Sequence, residues 1–97
     1  MHCIFSPLAD RDLEEIGDYI ARDNPSRAVS FIQETIREQC AKIVARPLGA
    51  PLRHELGEGI RMASFGNYLI FYTVGAEKIR IERIMHGARS IPVLFDV

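Results

Sequence analysis

Ala9, Leu13, Ile16 and Ile20 recur at spacings of four, three and four residues, which places one apolar stripe along a helix. Asp10, Arg11, Glu14, Asp18 and Arg22 fall mostly on its other faces. The start of this helix is marked by Ser6 as N-cap and Pro7 in the first turn, with Asp10 and Asp12 near the positive end of the helix dipole. It is expected to run to about Arg22 or Asp23, and residues 2–5 before it read as a short strand. Asn24-Pro25 repeats the start signal. A second stripe follows through Ala28, Ile32, Ile36, Cys40 and Ile43 or Val44, and that helix ends before Pro47. The short connection makes the two helices antiparallel neighbours, a hairpin whose joint apolar face must cover something.

From Pro47 to Gly59 the chain holds three glycines and two prolines, the pattern of an irregular loop. Three strands are then expected, Ile60–Phe65, Tyr68–Val74 and Glu77–Met85, separated by Gly66-Asn67 and Gly75-Ala76, pairs suited to type II′ hairpin turns. Strand Tyr68–Val74 is apolar on both alternating sets, so both of its faces need cover. The helical hairpin takes one face. The other is left for the apolar tail Ile91-Pro92-Val93-Leu94-Phe95, for a partner, or for both in turn. The expected architecture is α+β: an N-terminal strand and an antiparallel helical hairpin packed on an antiparallel sheet with a three-stranded meander.

At 97 residues with 47% apolar content, one domain spanning 1–97 with a single small core is expected, of modest stability and helped by a partner that covers apolar surface. The opening residues carry no targeting pattern and no run is long enough to cross a bilayer, so a cytoplasmic location and no membrane contact are expected. Twelve basic residues stand against thirteen acidic ones. A protein gripping RNA or DNA through phosphates needs a basic surface, so direct nucleic-acid binding is not expected. Cys3 and Cys40 lie in separate elements without metal-ligand or disulfide-framework spacing and read as two buried thiols; no metal or cofactor is expected.

The most chemical-looking segment is His86-Gly87-Ala88-Arg89. A histidine exchanges protons near neutral pH, and an arginine holds a phosphate or carboxylate in a fork. A bland reading stands beside it, in which His86 packs at a strand end, Gly87 turns the chain and Arg89 meets an acidic residue. Arg61, Arg80 and Arg83 form either a cationic stripe or a solvated face interleaved with Glu77 and Glu82; Arg53-His54-Glu55 reads as exposed loop charge.

Ser6-Pro7-Leu8-Ala9-Asp10-Arg11-Asp12-Leu13-Glu14-Glu15-Ile16, Asn24-Pro25, Pro47, Gly59-Ile60-Arg61, Tyr68-Leu69-Ile70-Phe71-Tyr72 and Ile84-Met85-His86-Gly87-Ala88-Arg89, in that order, resemble the ParE-type toxins of the ParE/RelE superfamily over nearly the whole chain. The resemblance implies a toxin of a type II toxin–antitoxin pair, held as a hetero-oligomer by a ParD-like antitoxin, with DNA gyrase as its target and inhibition by binding rather than catalysis. The superfamily's other branch resembles RelE, whose members cut ribosome-bound mRNA with clustered basic side chains that stabilise the phosphorane charge. Aligned on the central strand, this chain has Leu69 where that branch has an arginine, Ile60 and Met62 where it has lysines, and Phe95 near its tyrosine; Arg89 matches. A third reading is a non-toxic interaction module of the same fold. The expected antitoxin contacts are Ile16, Tyr19, Ile20 and Arg61. The expected target-binding residues are Arg83, His86, Arg89, Ile91, Leu94 and Phe95, cations beside an apolar, aromatic tail.

Overall fold

The computed structural model describes residues 1–87. Strand β1 (His2–Phe5) passes into helix α1 (Pro7–Ala21) through Ser6. The Ser6 hydroxyl oxygen accepts from the Ala9 N–H at 3.0 Å, as an N-cap should, and also donates to the Glu82 carbonyl at 2.7 Å. Asn24 caps the second helical segment, its Oδ1 accepting from the Arg27 N–H at 3.1 Å. That segment runs through α2 (Pro25–Ser30), a π-helical turn (Phe31–Thr35) and α3 (Ile36–Ala45).

The π turn changes which residues face the core. Regular α-helical spacing puts Ile32 in the stripe, yet Ile32 is 40% exposed while Phe31 is only 5% exposed. The Ile36 N–H bonds to the Phe31 carbonyl, five residues back, so the widened turn brings Phe31 and Ile36 onto one face. Phe31 then meets the rings of Phe65 and Tyr68, with centroids 6.2 and 5.0 Å away.

Strands β2 (Arg61–Phe65), β3 (Tyr68–Val74) and β4 (Lys78–His86) form the expected meander. β1 joins β4 in parallel, making a mixed sheet of order β1-β4-β3-β2, because the helical hairpin and the loop after it return the chain to the end from which β1 started. Ala9, Phe31, Ile36 and Ile43 pack on Ile70, Tyr72, Ile79, Ile81 and Ile84 to form the main core. On the opposite face, Phe71 and Met85 pack with Ile60, bordered by Leu56, Met62 and Leu69. Part of that cover therefore comes from the loop before β2. Residues 91–95, also expected there, lie outside the described residues.

The loop is more ordered in its bonding than its glycines and prolines suggest. Leu52 bridges to Arg61, the Arg53 N–H donates to the Ile60 carbonyl at 2.7 Å, and the Met62 N–H donates to that of Pro51 at 3.0 Å. This lays the loop along the outer edge of β2, where open strand groups invite foreign pairing. The Tyr72 hydroxyl, its pKa raised by burial, donates to the Pro47 carbonyl at 2.8 Å. A 3-10 turn (His54–Leu56) follows, in which Arg53 pairs with Glu55 and holds that carboxyl below its ordinary pKa.

Gly66-Asn67 connects β2 to β3 with φ +53° at Gly66 and no positive φ at Asn67, the sign pattern of a II′ turn. The second hairpin departs from expectation. Gly75 donates to the Lys78 carbonyl at 2.9 Å, so Ala76 and Glu77 are the central residues, neither with positive φ, and β4 starts at Lys78. Within β4, Phe71 pairs with Arg83 and Tyr72 with Ile81, leaving Glu82 as the extra residue of a β-bulge. Strict alternation from Ile79 and Ile81 would carry Arg83 into the core; the bulge gives that place to Ile84.

Candidate functional site

β1 pairs with β4 only from Lys78 to Ile81, so among the described residues no strand pairs with the outer edge of β4 over Glu82–His86, and α1 runs beside it. A bulge at the start of this stretch disrupts the ladder and leaves backbone groups to be satisfied otherwise. The N-terminal half of the chain does this twice. Ser6 donates to the Glu82 carbonyl, and Asp12 Oδ2 accepts from the Ile84 N–H at 3.0 Å.

Asp12 also accepts from Arg83, Nε at 2.8 Å and the terminal nitrogen Nη2 at 2.9 Å, a two-pronged pair that raises the Arg83 pKa. The Asp12 residue is 6% exposed and the Arg83 side chain 15%. Arg83 was expected to stand among exposed cations at the end of the sheet; instead its guanidinium is largely covered and locks β4 to α1. The sequence signal for this was present, because Asp12 lies three residues after Ala9 and four before Ile16, on the apolar stripe rather than off it.

Beyond the ion pair, α1 and the end of β4 enclose an open groove of about 470 Å³. Glu15, Ile16, Asp18, Tyr19 and Arg22 line it from the helix, and Tyr68, Ile84, Met85 and His86 from the sheet. Tyr19 is 68% exposed, whereas Ile16 belongs to the margin of the main core. His86 pairs in register with Tyr68, their rings edge to face with centroids 5.4 Å apart. Tyr68 joins this groove to the aromatic group of Phe31 and Phe65. The walls thus offer apolar and aromatic surface edged by carboxylates and one arginine, a composition that suits the docking of a peptide segment.

The groove brings Ile16, Tyr19 and His86 together, and Arg83 is tied to one of its lining residues, Asp12. Ile20 packs at the margin of the main core. Arg61 is not brought to this groove. It sits on β2 and donates to the carbonyls of Leu48 at 3.2 Å and Ala50 at 2.7 Å, so it holds its own loop. Arg89, Ile91, Leu94 and Phe95 lie outside the described residues. Asp12, Glu15, Asp18, Arg22 and Tyr68 are additions that sequence reading did not select.

Of the positions compared with the nuclease branch, Ile60 is packed with Phe71 and Met85, and Met62 and Leu69 border that cluster. Among the described residues, no three His, Cys, Asp or Glu side chains converge as metal ligands, and no helix is long and apolar enough to cross a membrane.

The family model described as the ParE toxin of the type II toxin–antitoxin system parDE matches residues 3–91. In structure, the chain is similar to one from the chromosomal ParDE toxin–antitoxin system of P. aeruginosa. That match has a TM-score of 0.72 and 23% identity, covering 89% of this chain and 95% of that one. It is also similar to a chain of the toxin–antitoxin complex RelBE2 of Mycobacterium tuberculosis. There the TM-score is 0.58 and the identity 27%, covering 88% of this chain and 95% of that one. No curated protein matches it in sequence.

Proposed function

The chain belongs to the ParE toxin family of type II toxin–antitoxin systems, and from that premise we propose that it acts by binding its target, DNA gyrase, and is neutralised by a ParD-like antitoxin in a hetero-oligomer. The observation that carries the binding reading is the state of its side chains at the end of β4. Arg83 is engaged by Asp12, and His86 is stacked edge-on with Tyr68. Ile60, Met62 and Leu69 supply no charge where the nuclease branch has cations. Stabilising a phosphorane needs cations aimed at one point, and these residues are built for packing.

The antitoxin takes the groove beside α1, with Ile16, Tyr19 and Ile20 as the contacts from the helix. Exposed Tyr19 over a partly apolar trough is the kind of anchor that a helix or extended segment uses. The target is met mainly by Arg89, Ile91, Leu94 and Phe95, with His86 a lesser contact. An arginine next to apolar and aromatic residues matches the composition of interface hot spots.

The test is a comparison of variants in supercoiling by gyrase and in growth arrest. His86→Ala keeps most of both activities, because a packing histidine is not a proton shuttle, whereas removal of residues 91–97 abolishes both and spares antitoxin binding. Silencing by His86→Ala alone, with codon-dependent cuts in mRNA, would overturn the reading in favour of nuclease chemistry.

A further inference from the structure

Cys3 on β1 and Cys40 on α3 are far apart in sequence and adjacent in the fold. The Cys3 thiol donates to the Cys40 carbonyl, with Sγ 3.9 Å from the oxygen, and both cysteines are free and partly buried. The expectation of two separate buried thiols therefore gives way to a pair. Both line one cleft of about 400 Å³ between α1, α3 and β1, with Phe5, Leu13, Ile36 and Arg37 among its walls. That opening gives a small molecule a route to the sulfurs.

We propose that Cys3 and Cys40 are a dithiol site that a small-molecule disulfide oxidises to an intramolecular disulfide, tying the N-terminal strand to α3. The Cys3 thiolate attacks one sulfur of the oxidant R–S–S–R and expels RS⁻, forming a mixed disulfide on Cys3. Cys40 then gives up its proton and attacks Cys3 Sγ, expelling the second RS⁻. The two protons released by the cysteines end on the two RS⁻ groups, so two cysteine thiols are oxidised as one disulfide is reduced to two thiols.

The order of attack follows from the environments. Burial, and then the proximity of Cys3, push the Cys40 thiol up to about 12, while Cys3 is raised by burial and partly lowered again by a hydrogen bond with the Cys40 side chain. Cys3 is therefore the first nucleophile and ring closure the slower step. Burial disfavours both thiolates on balance, so the reduced form has no net electrostatic advantage and the bond, once made, resists reduction. Cross-linking residues 3 and 40 also restricts the unfolded chain, and the melting temperature should rise by on the order of 10 °C.

The test is oxidation of the full chain with oxidised glutathione, followed by alkylation of the remaining thiols and intact-mass measurement. The expected product is a monomer lighter by two hydrogens, carrying no alkyl group and no glutathione. Its digest should contain a reducible peptide pair joining Cys3 to Cys40. Cys3→Ser and Cys40→Ser should each stop at a glutathione adduct or an alkylated thiol. The proposal is overturned if the wild-type chain keeps two alkylatable thiols, holds glutathione without closing the ring, or links to a second copy; the wild-type peptide map decides even where a variant folds poorly.

Discussion

Replacing Asp12 with alanine should cost about 3 kcal/mol of stability, more than any exposed carboxylate on α1 could. Two losses add to this figure. The Ile84 N–H, which Asp12 accepts at 3.0 Å, becomes a buried donor without its partner, worth about 1–3 kcal/mol. Arg83 loses the carboxylate that both its prongs meet; its side chain is 15% exposed and regains only part of its hydration, which adds about 1–2 kcal/mol. Chains of this size are stable by about 5–10 kcal/mol in all, so the loss corresponds to a fall in melting temperature of roughly 15 °C. Asp12→Asn keeps an acceptor for Ile84 and should cost about half as much. Because Asp12 raises the Arg83 pKa, the guanidinium's contribution is complete below its ordinary, strongly basic value and is lost only as pH climbs beyond that, leaving it constant through neutral pH. Urea unfolding followed by circular dichroism measures each variant, with Arg83→Met and the double substitution completing a cycle. The double variant should be less destabilised than the sum of the singles by about 1 kcal/mol or more. Additive singles, or an Asp12→Ala cost below about 1 kcal/mol, would mean that Asp12 and Arg83 do not act as a coupled pair.

Ser6→Ala removes the cap of α1 and the donor to the Glu82 carbonyl together and should cost about 2 kcal/mol in the same urea assay. Phe31→Ala empties the centre of the aromatic group and should cost about 3–4 kcal/mol, whereas Ile32→Ala, on an exposed position of the π turn, should cost less than about half of that. Tyr19→Asp should leave the melting temperature near that of the parent, since the side chain is exposed, and weaken antitoxin binding by at least about tenfold in calorimetry; unchanged affinity would remove Tyr19 from the interface.

Much of the fold was legible because its determinants are local. Ser6-Pro7 and Asn24-Pro25 announce helix starts by the chemistry of their own side chains and rings, and Gly66-Asn67 announces its turn by conformational freedom. The departures arise where distant groups decide. The π turn exists so that Phe31 can reach Phe65 and Tyr68, rings supplied by strands more than thirty residues later, and helical periodicity selects Ile32 instead. The bulge at Glu82 shifts the alternation of the last strand, so Ile84 takes the core place that alternation gives to Arg83, and Arg83 closes onto Asp12 instead of standing among exposed cations. Ile79, Ile81 and Ile84 do carry a trace of it, because the third breaks the alternation of the first two. For the candidate site, Tyr19 and His86 were visible as residue types at element ends. Their meeting across one groove depends on the short reach of β1 along β4, which no local pattern encodes.

Inhibition by binding, as proposed, is stoichiometric, and titrating the purified chain into a fixed amount of DNA gyrase while following supercoiling measures it. Binding predicts that supercoiling falls in proportion to added chain and is abolished near equivalence with gyrase subunits, with added mRNA on translating ribosomes left intact. Codon-dependent cleavage of that mRNA at far below equivalence, with supercoiling untouched, would instead make the chain a nuclease.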